Sequence, residues 1–570
     1  KHSLFMDKNR VIVFLVLSLG IIFGYEYLLK ELGLLPQPTI SEPAGPSTSD
    51  TSSPSKTSPG APTSNVPATK ETAVPKPAGG GSPAQEPRGE PSPIEVVEVE
   101  TDLYRAKFTT RGGALISWEL KRYRNSSDGK SAVQLVRQGG KFAEPLTITA
   151  DDAAHSKGLS EGIYRVEKDF TALDQDHPTG HMTFYYANPA TGVRLEKQLT
   201  FHADSYVVDI ALKSSGLEGA LKVGLGTNFG VVDWGEGFIG SVGAASLIDD
   251  KIENDMPESE TERKGSLRWT ALQDKYFIAA LIPKTSASAL PKKQGDKLVS
   301  TAVRLAVDSS GTPVGLQLFA GPKEYDTLQS LQIRLEDTID FGWFLFGSWD
   351  TVRAVAKPIF YVLRYINEYT HNYGLTIILL TVIIKLLFVP LQYKSYTSMK
   401  KMQGIQPKVA AVQEKFKDDR ERLNKELIKL YRDHKVNPVG GCLPMVLQMP
   451  VFVSLFNILY MTIDLRQAPL GLWITDLSVQ DPYYILPIIM GISMVVMQKI
   501  QPTTMDPTQA KVMLMLPALM TFLFINFPAG LVLYWLTNNV LTIVQQFVTD
   551  RFFFRTPAIT PATDEQDGKK

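Results

Sequence analysis

The chain has 570 residues, and its 59 lysines and arginines balance 59 aspartates and glutamates, so the formal net charge is zero. A strongly basic nucleic-acid-binding protein and a fully disordered chain are therefore excluded as descriptions of the whole sequence. The single cysteine, Cys442, excludes an intramolecular disulfide framework and a cysteine-rich metal site. At about 150 residues per domain, the length predicts about three or four domains.

An apolar run near the start of the chain is predicted to be a membrane anchor. Residues 11–29 read VIVFLVLSLGIIFGYEYLL and follow Lys8 and Arg10. The run is longer than the roughly 7–15 apolar residues of a signal peptide, and at about 1.5 Å per residue it spans roughly 28 Å, close to a hydrocarbon core. We therefore expect an uncleaved transmembrane anchor at 11–29, preceded by a cytoplasmic N-terminus at 1–10.

A linker and a β-domain are predicted next. Residues 30–93 are rich in Pro, Ser and Thr and cannot bury enough apolar surface to fold, which predicts a disordered tether. Residues 94–340 contain β-branched and aromatic runs such as EVVEVETDLYRAKFTT, separated by Gly- and Asp-rich turns, which predicts a large antiparallel β-sandwich. Because this domain follows an anchor with a cytoplasmic N-terminus, it is expected outside the cytoplasm. Its histidines have neither metal-site spacing nor a nucleophile partner, so no catalytic, metal or cofactor site is expected.

Beyond residue 340 the chain is predicted to be a helical membrane protein. Breaks at NPVGG (437–441) and FPAG (527–530) separate apolar runs of membrane-spanning length. With the anchor, the sequence predicts six spans. The predicted segments are an interfacial amphipathic helix at 341–357, a span with its lead-in at 358–391, a basic cytoplasmic helical hairpin at 392–440, a span at 441–464, an outer loop at 465–482, a span at 483–500, a cytoplasmic loop at 501–511, spans at 512–527 and 530–550, and a cytoplasmic tail at 551–570.

The distribution of basic residues predicts the orientation. Residues 391–440 hold twelve Lys or Arg against six Asp or Glu, whereas the loop at 465–482 has only Arg466 against Asp476 and Asp481. The first segment is therefore expected in the cytoplasm and the second outside, which with six spans puts both termini in the cytoplasm. The basic segment also carries apolar residues every three or four positions, as a helical hairpin does. Its charged face is either simply solvated or binds an anionic partner such as ribosomal RNA or lipid headgroups.

One charge within the predicted spans has no visible counter-ion. Lys385 is the only ionisable side chain between 375 and 391, and the ranges 442–463, 483–498 and 512–549 contain no Asp or Glu. A lysine in the middle of a membrane is costly unless it faces water or a partner. Two interpretations are open: the side chain snorkels toward the cytoplasm, or it lines a wet cavity where a passing acidic substrate supplies the negative charge.

Two other functional classes also use a lysine within the membrane. An ion-coupled transporter would have inverted repeats or a midplane carboxylate, and the sequence has neither. A Ser–Lys peptidase needs a serine beside the lysine. Ser454 is the only mid-span serine in the adjoining predicted helix, and no nucleophile motif surrounds it.

Several long motifs resemble the YidC family of membrane protein insertases. They are NPVGGCLPMVLQMPVF (437–452), LRQAPLGLWITDLSVQDPYYILP (465–487), QKIQPTT (498–504) and FPAGLVLYW (527–535). The anchor, linker and β-domain also resemble the Gram-negative form of the family, so the resemblance extends over essentially the whole chain. It implies a membrane α-helical fold with six transmembrane helices, of which five form an insertase core, together with a large periplasmic all-β supersandwich domain and a cytoplasmic helical hairpin.

The resemblance also implies a function and its residues. Such a protein is an insertase and chaperone rather than an enzyme, and it moves newly made membrane proteins from the cytoplasm into the inner membrane, alone or with the Sec translocon. The family has a positive residue, usually Arg, in an intramembrane groove, and Lys385 occupies that position. Thr381, Tyr534 and Trp535 correspond to family substrate contacts, and the polar Gln448 is expected to line the same groove. The implied partners are nascent membrane proteins, the translating ribosome, the Sec translocon and membrane lipids, with no small-molecule substrate, no cofactor and no direct DNA binding.

Overall fold

The computed structural model describes residues 93–553, except for 126–128, 140–141, 233, 235–241, 255, 309–310, 345–346, 417–418, 437–442 and 501–506. The predicted N-terminus, anchor and linker up to residue 92 lie outside the described residues, as does the tail beyond 553.

The first half of the described chain is an antiparallel β-domain. Its strands are β1 (Val96–Glu100), β2 (Tyr104–Thr109), β3 (Leu115–Arg124), β4 (Ala132–Gln134), β5 (Ile148–Ala150), β6 (Arg165–Lys168), β7 (Thr179–Asn188), β8 (Val193–His202), β9 (Val207–Ser215), β10 (Gly219–Thr227), β11 (Gly243–Ile248), β12 (Lys251–Glu253), β13 (Leu267–Gln273), β14 (Phe277–Pro283), β15 (Ala287–Ala289), β16 (Lys292–Gly295), β17 (Leu298–Val307) and β18 (Val314–Pro322). The largest sheet has nine strands in the order β12-β11-β13-β14-β18-β9-β8-β7-β6. A five-stranded sheet is built around β17 and β10, and β1 to β4 form a third sheet.

The alternating pattern of the sequence explains this domain. In β8 every second residue is buried, as expected for a strand with one face on a core. The core contains stacked and edge-on aromatic rings, including Tyr104 and Trp118 with their ring centroids 3.9 Å apart. The predicted all-β domain is therefore confirmed.

A lysine side chain lies in the core of the β-domain. Alternation along β8 places Lys197 on the buried face, where it is 1% exposed. Its Nζ donates to the carbonyl oxygens of Gly113 and Leu146, the latter at 3.1 Å, and lies 5.4 Å from the ring centroid of Phe184. Burial disfavours the charged amine and lowers its pKa from 10.5 to about 7.

The second half of the described chain is mainly helical. The helices are α1 (Ala153–Glu161) and α2 (Tyr325–Ser330) in the β-domain, followed by α3 (Asp350–Thr370), α4 (Tyr373–Lys415), α5 (Arg420–Asp433), α6 (Leu443–Met461), α7 (Ile485–Ile500), α8 (Pro507–Phe524) and α9 (Ala529–Phe553). Short 3-10 helices occupy Leu335–Thr338 and Ile463–Leu465, and the short strands β19 (Trp343–Phe344) and β20 (Gly347–Ser348) precede α3. Helix α9 packs against α4 and α7, α3 packs against α4 and α6, and α7 packs against α8.

The boundary predicted between residues 357 and 358 is wrong. The described residues between 341 and 349 form the short strands β19 and β20 and no helix, and α3 runs from Asp350 through Pro358 to Thr370. The chain breaks instead at His371, which has a φ of 48°, and Asn372 begins α4 by accepting from the Leu375 backbone N–H. Proline removes one backbone donor, but the packing of the buried face keeps α3 continuous. That face consists of Val352, Ala356, Phe360 and Leu363.

Two other predicted boundaries are displaced. Helix α8 begins at Pro507, five residues before the predicted start at 512, because proline is well suited to the first turn of a helix. Helix α4 continues past residue 391 to Lys415, so the predicted span and the first arm of the predicted hairpin form one helix.

The number of spans stays a prediction. Within residues 93–553, the helices long and apolar enough to cross a membrane are Tyr373–Lys415 and Ala529–Thr549. Shorter apolar helices occupy Val446–Met461, Ile485–Ile500 and Met515–Phe524. The predicted anchor lies outside this range, so the six-helix count is not tested.

A buried asparagine joins α6 to the segment that leaves the β-domain. Asn457 is fully buried, and its Nδ2 donates to the carbonyl oxygens of Phe341, at 2.9 Å, and Trp343, at 2.7 Å. One turn earlier, the Ser454 hydroxyl donates to the carbonyl oxygen of Val352 at 3.0 Å. Since all three acceptors are backbone atoms, α6 is held against the chain entering α3 whatever side chains that chain carries.

The loop after α6 also contacts the β-domain. The Arg466 guanidinium donates to the carbonyl oxygen of Arg124 at 2.7 Å and lies 5.2 Å from the ring centroid of Phe277. The Lys275 amine lies 3.8 Å from the ring centroid of Tyr460 at the end of α6. These contacts brace the end of α6 and the start of the loop against β3, β14 and the turn that precedes β14.

The buried position of Lys197 predicts a pH dependence of stability. Between about pH 7 and 10.5 the unfolded chain binds a proton at this site that the folded chain does not, so the free energy of unfolding rises with pH in that window and levels off below it. We expect Lys197→Met to remove up to about 1.4 kcal/mol per pH unit from that slope. Unfolding of the full chain followed by tryptophan fluorescence from pH 7 to 9.5 measures it. The exposed Lys264→Met is the control, and an unaltered slope in Lys197→Met would contradict the assignment.

The asparagine junction predicts a stability defect. Asn457→Ala removes the donor to the buried carbonyl oxygen of Phe341 and to the part-buried one of Trp343, and a buried unsatisfied group costs about 1–3 kcal/mol. We expect the melting temperature of the full chain in detergent to fall by roughly several degrees. The matched change at an exposed polar position of α4, Gln403→Ala, is expected to melt like the unaltered protein. Equal melting of both variants would show that the junction contributes little.

Candidate functional site

The two faces of α4 differ in their surroundings. Its exposed face is apolar, with Leu387 75% and Leu386 65% exposed. Its opposite face is buried and packs against α9, and it carries Ile377, Thr381 and Lys385 at a spacing of four residues. Lys385 is 7% exposed and therefore lies inside the helical bundle rather than on its surface.

Lys385 is held by a hydroxyl group of a neighbouring helix. Its Nζ donates to Thr542 Oγ1 of α9 at 2.7 Å. Lys385 lies twelve residues after the start of α4 and Thr542 thirteen after the start of α9, so both are about 18–20 Å along parallel helices. The amine thus reaches sideways across the bundle, whereas a snorkelling side chain would extend along its own helix toward Leu391.

The charge of Lys385 is unbalanced within the described chain. No described Asp or Glu forms an ion pair with it, and Thr542 is its one hydrogen-bond partner among those residues. A lysine amine has three donors, so two N–H bonds have no described protein acceptor. An isolated buried charge is costly, and a carboxylate or a carbonyl oxygen entering beside Lys385 would reduce that cost.

Aromatic side chains from three helices form a cluster near the start of α9. The aromatic cluster consists of Phe452, Phe456, Phe524, Phe527, Tyr534 and Trp535. The ring centroid of Trp535 lies 5.2 Å from that of Phe452 and 4.7 Å from that of Phe524, so the cluster joins α6, α8 and α9. Trp535 precedes Thr542 by seven residues, about 10 Å along α9. The cluster lies on the side of the outer loop, where the Ala529 N–H donates to the carbonyl oxygen of Val479.

The predicted groove residues fall into two groups. Thr381 is buried one turn before Lys385, and its hydroxyl donates to the carbonyl oxygen of Ile377 at 2.6 Å. Tyr534 is buried, Trp535 is half-buried, and both contact Phe452. Gln448 is half-buried on α6, one turn before Phe452 and on the same face. No hydrogen bond or ring contact links the two groups directly among the described residues.

Ser454 does not pair with Lys385. Its hydroxyl lies between the carbonyl oxygens of Val352, at 3.0 Å, and Pro450, at 2.6 Å, and faces α3. The amine of Lys385 instead bonds Thr542. The serine–lysine pair that a membrane peptidase requires is therefore not formed by these two side chains.

The sequence prediction missed Thr542. Helix α9 is fixed against α7 by two polar contacts, from Asn539 Nδ2 to Ser493 Oγ at 3.0 Å and from Gln546 Nε2 to the carbonyl oxygen of Ile500 at 2.8 Å. This orientation turns Thr542 toward α4. Helical spacing could have identified it, because Thr542 follows Trp535 by seven residues and so lies on the same face of the helix.

The cytoplasmic hairpin of the prediction corresponds to the second half of α4 and to α5. Ile405 and Val409 of α4 pack with Val436, which follows α5, and partly buried side chains surround them. Asp419 begins α5 by accepting from the Arg422 backbone N–H at 3.0 Å. Since the apolar residues face each other, the basic residues lie on the outer surface. The exposed ones are Lys394, Lys401, Lys408, Lys415, Arg422, Lys425, Lys429, Arg432 and Lys435.

Comparisons with known proteins match both halves of the chain. A family model described as the 60Kd inner membrane protein matches residues 365–556, and one described as the YidC periplasmic domain matches residues 96–362. The membrane protein insertase YidC of Geotalea daltonii is 41% identical over 478 residues, which cover 79% of this chain and 85% of that protein. That of Geotalea uraniireducens is 40% identical over 479 residues, covering 81% and 88%.

A solved structure of an active YidC insertase, with its first transmembrane domain resolved, also aligns with the chain. It covers 82% of this chain and 95% of its own, at 19% sequence identity and with a TM-score of 0.34.

Proposed function

The chain belongs to the YidC family of membrane protein insertases, and from that premise we propose that it inserts its clients through a polar groove centred on Lys385. A client is a newly made membrane protein, and insertion makes and breaks no covalent bond, so members of this family are not enzymes. The protein is an inner membrane protein with a periplasmic β-domain.

The observation that carries the proposal is the unbalanced charge of Lys385. The amine is buried, bonds one hydroxyl group and has no described carboxylate partner. A client that brings acidic or polar groups into the bundle meets a fixed positive charge there, which offsets part of the cost of removing those groups from water. The same charge does nothing for an entirely apolar segment, so the groove favours clients whose translocated tail is polar or acidic.

The aromatic cluster supports a second, apolar part of the path. Trp535 is half-buried and contacts Phe452 and Phe524, and we propose that an apolar client segment slides along this cluster. Tyr534, Thr381 and Gln448 complete the proposed groove. Partition of the client's apolar segment from water into lipid supplies the free energy, and the membrane potential assists tails of suitable charge.

The proposed topology follows the basic residues. We propose that the chain crosses the inner membrane several times with both termini in the cytoplasm, and that the hairpin of α4 and α5 lies in the cytoplasm near lipid headgroups. The translating ribosome and the Sec translocon are proposed partners, with no small-molecule substrate and no direct binding to DNA. The basic outer surface of the hairpin supports the proposal that the ribosome is a partner, because RNA phosphates bind clustered Lys and Arg.

The role of the Lys385 charge is tested by comparing clients with acidic and with neutral tails. We expect Lys385→Ala to slow insertion of an acidic-tailed single-span client into proteoliposomes at least about fivefold, which corresponds to about 1 kcal/mol. The same client with Asn and Gln in place of the tail carboxylates is expected to insert within about twofold of normal, because the loss of electrostatic stabilisation then has no partner. The measurement is protease protection of the translocated tail.

Two further variants serve as controls for that test. Lys385→Arg keeps the charge and is expected to keep insertion of the acidic client. Lys499→Ala removes an exposed lysine near the end of α7 and is expected to have no effect. Normal insertion of the acidic client by Lys385→Ala would overturn the electrostatic part of the proposal.

The hairpin predicts a salt-dependent ribosome affinity. Replacing Lys401, Lys425 and Lys429 by Gln removes three exposed charges. The slope of log affinity against log salt becomes shallower by about one for every lysine that no longer binds an RNA phosphate. We expect the triple variant in detergent to bind purified ribosomes more weakly, with a slope reduced by about two to three. Gln at Lys157, Lys251 and Lys264, three exposed lysines of the periplasmic domain, is the matched control. An identical salt slope for both triple variants would contradict a ribosome-binding role for the hairpin.

A further inference from the structure

We propose that Thr542 is a positioning residue for insertion: it holds the amine of Lys385 at mid-depth and points its free N–H bonds into the groove. The inference rests on the proposed function of Lys385. Thr542 itself need not touch the client, because it acts through the lysine.

The hydroxyl group of Thr542 is oriented to accept. Its Oγ1 lies 2.6 Å from the carbonyl oxygen of Asn538, one turn earlier in α9, and a carbonyl can only accept. The hydroxyl proton is therefore directed to Asn538, which leaves the oxygen lone pairs for the amine of Lys385 at 2.7 Å. A hydrogen bond to an ionised donor is about twice as strong as a neutral one.

The rotation of α9 fixes where this oxygen points. Asn539 and Gln546 are seven residues apart, so they share a face, and both bond α7. Thr542 lies between them in sequence and about 60° around the helix from Asn539, toward α4. The contacts with α7 therefore set the position of Thr542, and Thr542 in turn sets the position of the amine.

Half-buried polar side chains border the amine along α9. Asn538 and Gln545 lie one turn before and one turn after Thr542 on the stripe that begins at Trp535, and all four are half-buried. Tied to Thr542, the amine is held at the middle of this stripe. Released from it, the four-carbon stem of Lys385 would regain rotamer freedom and could snorkel toward the cytoplasm. The positioning role of Thr542 is thus to prevent that retreat.

The test combines three threonine variants with two clients. Thr542→Val keeps the branched shape and removes the acceptor, while Thr542→Ser keeps the hydroxyl. Thr549→Val is the matched control, because Thr549 lies two turns further on the same face and its hydroxyl also bonds one turn back, to the carbonyl oxygen of Gln545 at 2.8 Å. Each variant is reconstituted as the full chain, and insertion of the acidic-tailed client and of its amide-tailed counterpart is measured.

We expect Thr542→Val to slow the acidic-tailed client at least about fivefold while the amide-tailed client stays within about twofold, and Thr542→Ser and Thr549→Val to behave like the unaltered protein. In the Lys385→Ala background, Thr542→Val is expected to add no further loss, because the two residues act as one unit. Equal slowing of both clients, or an undiminished effect in the Lys385→Ala background, would show a merely structural threonine and overturn the inference. If Lys385→Ala slows the acidic client and Thr542→Val does not, the positioning role fails and the proposed function stands. If Lys385→Ala has no effect, the proposed function itself fails.

Discussion

The ammonium of Lys385 donates to a threonine hydroxyl in the middle of a bundle of apolar helices, and much of the helical architecture is arranged around that bond. A cation in such a place is stable only if its position is fixed and some polar group is near. The hydroxyl of Thr542 supplies the polar group, and the contacts of Asn539 and Gln546 with α7 fix its position.

Helix α6 links the periplasmic domain to the other helices. That helix contributes Phe452 to the aromatic cluster and, one turn later, is bound to the chain leaving the β-domain by Asn457. The loop that follows it rests on the β-domain through Arg466. Helix α6 is thus bound through side-chain donors to backbone carbonyl oxygens of the β-domain and of the chain that leaves it, whereas α7 and α9 are bound to each other. The aromatic cluster joins these two sets of helices, because Phe452 of α6 contacts Trp535 of α9.

The sequence predicts the residues of the proposed groove better than it predicts the contacts that hold them in place. Lys385 is evident because it is a lone charge in an apolar run, and the aromatic residues are evident from the family motif FPAGLVLYW. Thr542 is not evident, because a threonine in an apolar helix bonds its own backbone as a rule and carries no other signal. The junction with the β-domain is hidden for a stronger reason: Asn457, Ser454 and Arg466 all bond to carbonyl oxygens, and these are the same in every residue type. The boundary predicted at 357/358 falls inside α3, whose packed buried face keeps the helix continuous through Pro358.

A comparison of two buried lysines, Lys197 and Lys385, shows why burial alone does not identify a functional charge. Lys197 donates to two carbonyl oxygens and faces the ring of Phe184, so its surroundings satisfy most of its donors, and burial lowers its pKa. Lys197 is thus a packed part of the β-domain core. Lys385 bonds one hydroxyl and keeps two donors without a described protein acceptor. The unused donors of the Lys385 amine need a further hydrogen-bond acceptor. A client carboxylate has the negative charge and the lone pairs to be that acceptor.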